Sequence, residues 1–243
     1  VIMSGDHHQL PPTIKSREAA KDGLEHTLFA KGLENQPDGV VMLQTQYRMH
    51  PAIMGFSSEQ FYEGKLKADE SIDDRPIHFE EPVTFVDTAG AGYDEKVKTE
   101  TLSTYNEEEA KLLIHLLEAE FLEGMSVGII APYKAQVEVL TKLVNQSEVL
   151  APFRSEINVN SVDAFQGQER DVVYISLVRS NDRGEIGFLK EYRRLNVAMT
   201  RAKQRLVLVG DSATLGSDAF FNKMIDYVQS NGKYASVYEY DWQ

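Results

Sequence analysis

Arg48 and Arg201 are the residues whose type and setting best fit chemistry. Arg48 lies in Gln46-Tyr47-Arg48-Met49-His50-Pro51, and Arg201 in Asn196-Val197-Ala198-Met199-Thr200-Arg201-Ala202-Lys203. A guanidinium is planar, permanently charged and forked, so it suits phosphate oxygens where a lysine would not substitute well. Supplied from outside the loop that holds a triphosphate, such a group stabilises the charge that builds on the γ-phosphate, with typical effects of ~10³–10⁵ in rate. The ordinary alternative for either arginine is a surface or interdomain salt bridge. Gln9, in Gly5-Asp6-His7-His8-Gln9-Leu10-Pro11-Pro12, offers a neutral amide that can donate to a phosphate oxygen or accept from water. Asp6 reads as a turn residue. Tyr47 could stack on a base and Glu169 could accept ribose hydroxyls; a core tyrosine and a solvated glutamate are the alternatives.

A second group of residues suits a sugar–phosphate backbone. Pro132, Tyr133 and Gln136, in Ala131-Pro132-Tyr133-Lys134-Ala135-Gln136, fall at a strand-to-helix junction, where helix N–H groups can bind phosphate. Ser161, Asp163 and Gln166, in Ser161-Val162-Asp163-Ala164-Phe165-Gln166-Gly167-Gln168-Glu169, crowd another turn, with Gly167 permitting close backbone approach. Short neutral donors hold a backbone without reading bases. Asp163 cannot donate to phosphate and is expected to orient the loop or a neighbouring arginine.

The elements that must position these groups alternate. Val1–Ser4 reads as a buried strand followed by a turn at Gly5-Asp6. An amphipathic helix follows over Leu24–Leu33, and an apolar β-branched strand over Val40–Leu43. Pro51 suits the first turn of a helix running to about Gln60 with Ile53, Phe56 and Phe61. Residues 67–80 and 88–104 read as polar loops around a strand at Val83–Val86. Asn106 caps a helix with Glu107–Glu109 in its first turn and Leu112, Leu113, Leu116 and Leu117 at helical spacing. Strands are expected at Val127–Ile130, Ile157–Val162, Val172–Leu177 and Leu206–Val209, with helices over Pro132–Asn145, Tyr192–Ala202 and Asp218–Ser230. Ser236–Tyr240 is expected as an edge strand. The alternation predicts an α/β parallel sheet with helices on both faces.

The chain has 243 residues, 42% of them hydrophobic and 26% charged, as in ordinary globular proteins. No apolar run is long enough to span a membrane. Cysteine is absent, which excludes disulfides and thiolate metal sites and is compatible with a reducing compartment. The net charge of −13 argues against coating nucleic acid by bulk electrostatics but not against a local track. His7, His8, His26, His50, His78 and His115 show no metal-ligand spacing. Asp73-Asp74 and Glu107–Glu109 read as solvated faces, and no Ser/His/Asp or nuclease carboxylate set emerges. Phe220-Phe221 and the tyrosines and tryptophan at 234, 238, 240 and 242 read as packing residues. No Gly-x-x-x-x-Gly-Lys-Ser/Thr loop occurs.

The five motifs, in their order and spacing, resemble the second half of a superfamily 1 helicase of the nonsense-mediated-decay and senataxin type, over about residues 1 to 211. The resemblance implies a RecA-like, P-loop-NTPase-type sheet forming the second motor lobe, without a phosphate-binding loop of its own. It implies that Arg48, Arg201 and Gln9 act on ATP, and that Tyr47, Glu169 and Gln46 hold the nucleotide. Pro132, Tyr133, Gln136, Ser161, Gln166 and Arg179 would face single-stranded RNA or DNA, with Arg179-Ser180-Asn181 matching a further family segment that links the two sides. ATP with Mg²⁺ would be held mainly by a first lobe of the same polypeptide. Residues 1–36 then read as a remnant of that lobe and 37–243 as the second lobe. The Val1–Ser4 strand would either dock on the second lobe or drive self-association through an unpaired edge. A 5′-to-3′ motor, inactive as an ATPase in this piece alone and located inside the cell (cytoplasmic, or nuclear in a eukaryote), is the expectation. The alternatives are a non-catalytic nucleic-acid-binding or scaffold domain that kept the fold, and a nuclease fused to a motor.

Overall fold

The computed structural model describes residues 1–11, 14, 16–24, 26–76 and 78–240; Pro12 and Trp242 lie outside the described residues. The elements are α1 (Arg17–Ala19), α2 (Leu28–Asn35), β1 (Thr45–Gln46), α3 (Pro51–Phe61), β2 (Lys67–Ala68), β3 (Val83–Asp87), β4 (Lys96–Lys98), β5 (Ser103–Tyr105) and α4 (Glu107–Glu120). They continue with β6 (Val127–Ala131), α5 (Lys134–Gln146), β7 (Ile157–Ser161), α6 (Val162–Phe165), β8 (Arg170–Ser176), α7 (Tyr192–Met199), β9 (Ala202–Gly210), α8 (Ser212–Leu215), α9 (Ala219–Asn231) and β10 (Lys233–Ser236).

Six strands pair in the order β10-β3-β9-β8-β6-β7, each neighbouring pair parallel. Because successive side chains of a strand point to opposite faces, a sheet covered on both sides needs unbroken apolar runs. β8 meets that demand: Val173 and Ile175 enter one core with α3, α7 and α9, while Val172 and Tyr174 enter the other with α4 and α5. β9 does the same with Leu206 and Leu208 against Val207 and Val209. This is the expected α/β RecA-like architecture.

Helix starts follow their caps. The Asn106 side chain accepts from the Glu109 N–H, and that of Asp218 from the N–H groups of Phe220 and Phe221. Each satisfies donors a helix leaves unpaired, worth about 1 kcal/mol.

Several expectations are corrected. Val1–Ser4 is neither buried nor a strand, and Val40–Leu43 is extended, exposed chain rather than a strand. Their apolar pattern fits a sheet position, but no described strand lies beside them. The amphipathic helix starts at Leu28, capped by Thr27, rather than at Leu24. The stretch 88–104 contains the antiparallel hairpin β4–β5, and 67–80 contains β2, which pairs in parallel with β1. The edge strand is Lys233–Ser236; Ser236 there starts a capped turn over Val237–Glu239 instead of a strand.

One carboxylate sits wholly inside. Glu109, on α4, accepts from Ser176 Oγ (2.5 Å) and from the Val178 N–H (2.9 Å), while its other oxygen has no partner among the described residues. Val178 has φ 71°, a left-handed conformation unusual for a β-branched residue. Asn106 also donates to the Val178 carbonyl (3.4 Å), so the α4 N-terminus grips both sides of this turn.

Burial pushes the Glu109 carboxyl up to about 7, against hydrogen bonds from Ser176 and Val178 that favour the anion. Below about pH 4.5, the unfolded value, its contribution to stability is fully present. As pH rises to about 7 the unfolded chain releases a proton the folded chain keeps, so that contribution is lost. The shift corresponds to at most about 3 kcal/mol. His8 and His50, held below their ordinary values chiefly by burial, act in the opposite sense. Glu109→Gln should therefore melt higher relative to wild type at pH 8 than at pH 5; thermal unfolding at both pH values checks this, and equal differences would rule out a titrating Glu109.

Candidate functional site

The turn after β1 is built by its own glutamine. Gln46 Oε1 accepts from the N–H groups of Arg48 (2.9 Å) and Met49 (2.7 Å), and its Nε2 donates to the Met49 carbonyl (2.9 Å). Its amide is thus engaged in folding the turn rather than turned toward a ligand. Arg75 closes the turn from outside, its guanidinium donating to the Arg48 and Tyr47 carbonyls at 2.5 Å each. The segment carrying Arg75 is stitched to β1, with Lys67 N–H on Gln44 O (2.8 Å) and Asp69 N–H on Gln46 O (3.0 Å), and is anchored by buried Ile72. His50 completes the frame: its N–H donates to Lys203 O (2.8 Å), and its Nδ1 caps α3 at the Ala52 N–H. Burial holds its pKa low, which keeps Nδ1 free to accept.

This frame leaves the Tyr47 ring 64% exposed and aims Arg48 at the α7–β9 junction. Arg48 Nε donates to Glu169 Oε2 (2.6 Å) and its Nη1 to the Thr200 carbonyl (3.1 Å). Arg201 sits behind, only 3% exposed, donating to Val197 O (2.9 Å), Gln168 O (3.2 Å) and Thr200 Oγ1 (3.1 Å). The two guanidiniums therefore meet across Thr200. Burial, and then the charge of Arg48, push Arg201 down to about 10, so it stays a cation at neutral pH. Glu169 also binds Lys203 Nζ (3.2 Å), and the hydrogen bond from Arg48 leads the effects that hold its carboxyl below the usual range.

Gln9 lies on the same side. Its Nε2 donates to Asp6 Oδ2 (3.0 Å), and Asp6 Oδ1 accepts from the His8 N–H (2.9 Å), a turn bond of the kind expected for Asp6. Gln166 reaches back to the Leu10 carbonyl (3.0 Å), and Asp163 orients a neighbouring arginine, Arg194 (2.6 Å).

Tyr47, Arg48, Glu169 and Arg201 thus gather at the N-terminal ends of β8 and β9. Pro132, Ser161 and Arg179 follow the C-terminal ends of β6, β7 and β8. The seven residues of β8 put these sets roughly 20 Å apart along the strands.

At the far end several expected backbone contacts are inside. Gln136 is wholly buried, accepting from Asn106 N–H (2.8 Å) and donating to Asn106 O (3.0 Å) and Ser176 Oγ (2.9 Å). It cannot reach a nucleic acid; it joins α4, α5 and β8. Tyr133 and Arg179 are 5% and 8% exposed. Arg179 Nε donates to Glu95 (2.7 Å), its Nη1 lies 3.4 Å from the Tyr133 hydroxyl, and that hydroxyl accepts from the Phe188 N–H (3.2 Å). Pro132 and Ser161 stay partly open, and Gln166 and Gly167 (φ 81°) are exposed.

Sequence reasoning passed over Arg75, Lys203, Glu95, Tyr62 and Asn196. Only Lys203 and Asn196 lay inside a motif; the others sit in segments with no pattern of their own. Among the described residues no group of three His, Cys, Asp or Glu could hold a metal ion. No helix among them is long and apolar enough to cross a membrane.

Gly187 tests the rigidity of the Arg179 pocket. At φ 53°, a Cβ there would collide with Arg179 Nη1 and crowd the Tyr133 hydroxyl, whereas at Gly92 (φ 73°) it would meet nothing. Gly92→Ala should cost only backbone strain, about 1 kcal/mol, and Gly187→Ala distinctly more, about 2–4 kcal/mol. Urea unfolding midpoints compare the two.

The chain matches the AAA domain family over residues 24–213. It is 38% identical over 253 residues to mouse DNA-binding protein SMUBP-2, covering 98% of this chain and 25% of that protein. An uncharacterised ATP-dependent helicase of Methanocaldococcus jannaschii is 38% identical over 246 residues, covering 95% of this chain and 35% of that protein. Helicase sen1 of Schizosaccharomyces pombe is 34% identical over 238 residues, covering 93% and 14%. The chain thus spans about a third or less of the length of these relatives. With the motif order, the parallel sheet and the paired arginines already in place, these matches decide the family: the chain belongs to the AAA domain family, as a superfamily 1 helicase C-terminal motor domain.

Proposed function

We propose that this chain is the second lobe of a two-lobed, ATP-driven motor that unwinds or moves along single-stranded RNA or DNA, with 5′-to-3′ polarity. The observation that carries this reading is the meeting of Arg48 and Arg201 across Thr200, beside the exposed Tyr47 ring and the Glu169 carboxylate. The names of the relatives, two of them helicases and one a DNA-binding protein, support it.

Another lobe of the longer protein holds ATP and its Mg²⁺. Arg48 is the outer of the two cations, a third exposed, and is parked on Glu169. When a γ-phosphate arrives, Arg48 exchanges the carboxylate for phosphate oxygens, and Glu169 keeps Lys203 while turning to the ribose hydroxyls. Arg201 holds Thr200 and the α7 end in place and adds positive potential from behind. Tyr47 stacks on the base. Gln9 links the γ-phosphate to nucleic-acid binding, and Pro132, Ser161 and Gln166 offer the surface for the strand, backed by Tyr133 and Arg179.

Val1, Ile2 and Met3, and separately Val40–Leu43, are exposed apolar residues, which the other lobe covers in the longer protein. On this view the first-lobe portion extends from residues 1–36 to about Leu43.

In the full-length protein, Arg48→Ala should lower the kcat of ATP hydrolysis by about 10³-fold with KM changed little, and Arg201→Ala at least as much. Tyr47→Ala should instead raise KM for ATP with kcat kept. Steady-state ATPase assays distinguish these patterns; normal kcat in both arginine variants would favour a non-catalytic scaffold. Residues 1–243 alone should show no ATP turnover above background.

A further inference from the structure

Tyr62 ends α3 and belongs to none of the functional motifs, yet its hydroxyl joins two of them. It donates to Asp6 Oδ2 (2.7 Å) and accepts from Asn196 Nδ2 (3.2 Å). The same Asp6 oxygen accepts from Gln9 Nε2 (3.0 Å), and the same Asn196 nitrogen donates to the His8 carbonyl (3.0 Å). Asn196 lies in α7, which ends at the Thr200-Arg201 pair, and it is wholly buried. Its Oδ1 has no partner among the described residues, so its NH₂ group provides the side chain's hydrogen bonds.

We propose that Tyr62 is a positioning residue that couples Gln9 to the helix leading into the Thr200-Arg201 pair, so that one hydrogen-bonded chain, Gln9–Asp6–Tyr62–Asn196, sets both. This rests on the helicase reading above and deepens it. Besides this hydroxyl, the described part of the Gly-Asp-x-x-Gln segment is held by hydrogen bonds to its backbone carbonyls, from Asn196 to His8 and from Gln166 to Leu10, and by the packing of Leu10 and the His8 ring. The Tyr62 hydroxyl is the side-chain contact that fixes Asp6, and Asp6 in turn fixes the Gln9 amide. On the other side, the Asp6 carboxylate acts electrostatically on Arg201. Burial, and then the hydrogen bond to Asp6, raise the Tyr62 pKa, so the hydroxyl remains a donor throughout the neutral range. The ring packs edge-on against His8 (5.1 Å between centroids), a contact that phenylalanine would keep.

Tyr62→Phe therefore removes the link and little else. Losing a hydrogen bond to a charged partner is expected to lower nucleic-acid-stimulated kcat about ten-fold, equivalent to about 1.4 kcal/mol. The experiment uses the full-length protein as wild type, Tyr62→Phe, Asp6→Asn and the double variant, at a temperature well below all their melting transitions. ATP hydrolysis is measured with and without single-stranded oligothymidylate and oligouridylate, and binding of each oligonucleotide is measured at equilibrium.

The expected result is a ten-fold loss of stimulated kcat in Tyr62→Phe, with KM for ATP and oligonucleotide affinity within two-fold of wild type. The double variant should be no worse than the poorer single variant, because both cut one chain. Stimulated kcat within two-fold of wild type, an equal loss with and without oligonucleotide, or losses that multiply in the double variant would overturn the coupling role. A wild-type protein that hydrolyses no ATP would instead overturn the helicase reading.

Discussion

Two positive charges held against one threonine should repel, and the domain is arranged to keep them together. Arg201 is stripped of water and surrounded by oxygen: two backbone carbonyls and the Thr200 hydroxyl take its protons. Arg48 is held at the Thr200 carbonyl and balanced by Glu169, which Lys203 keeps in place. A buried ion stays charged only when its donors are met by oxygens in good geometry. That requirement fixes the end of α7, the start of β9 and the turn after β1 relative to one another. The bond between His50 N–H and Lys203 O fastens the turn to the start of β9 through the backbone. Loosening any of them would leave a desolvated guanidinium with fewer partners.

The body of the fold was legible because a doubly covered parallel sheet leaves a plain mark. Val127–Ala131, Val172–Ile175 and Leu206–Val209 are apolar at consecutive positions, and such runs fit strands packed on both faces. Helix starts were legible where a side chain caps them, at Asn106 and Asp218. The same reasoning misread Val1–Ser4 and Val40–Leu43, since an apolar β-branched run states a preference for a sheet without supplying the neighbouring strand. β4 and β5 were missed because Lys96–Lys98 and Ser103–Tyr105 are short, polar and half-exposed, so neither periodicity nor burial marks them.

The site was legible in its clustering and less so in its orientation. Arg48, Arg201, Glu169 and Tyr47 do converge, because their motifs flank the ends of adjacent strands. Gln136 shows the limit. A glutamine in the first turn after a strand can face solvent or the core, and residue type alone does not decide between them. Here the backbone of Asn106 and the hydroxyl of Ser176 satisfy its amide, which makes burial inexpensive. Arg75 was hidden for the opposite reason: it works through backbone carbonyls, so nothing in its own neighbourhood announces the turn it supports.

The crossover from β7 to β8 runs from one end of the sheet to the other. Ser161 is level with Ala131 at one end of the sheet, while Arg170 begins β8 at the other, two strands away. The register puts them roughly 20 Å apart along the strands and ~10 Å apart across them, or about 22 Å in all. The intervening segment includes the single turn α6, which advances only ~6 Å, and its remaining links extend to about 20 Å. A tight turn, with the Gln168 N–H on Phe165 O (3.0 Å), takes up the difference, and the Asp163–Arg194 and Gln166–Leu10 contacts grip the stretch along its way. A shift at its Ser161 end passes through the Arg194 and Leu10 contacts before it reaches Glu169.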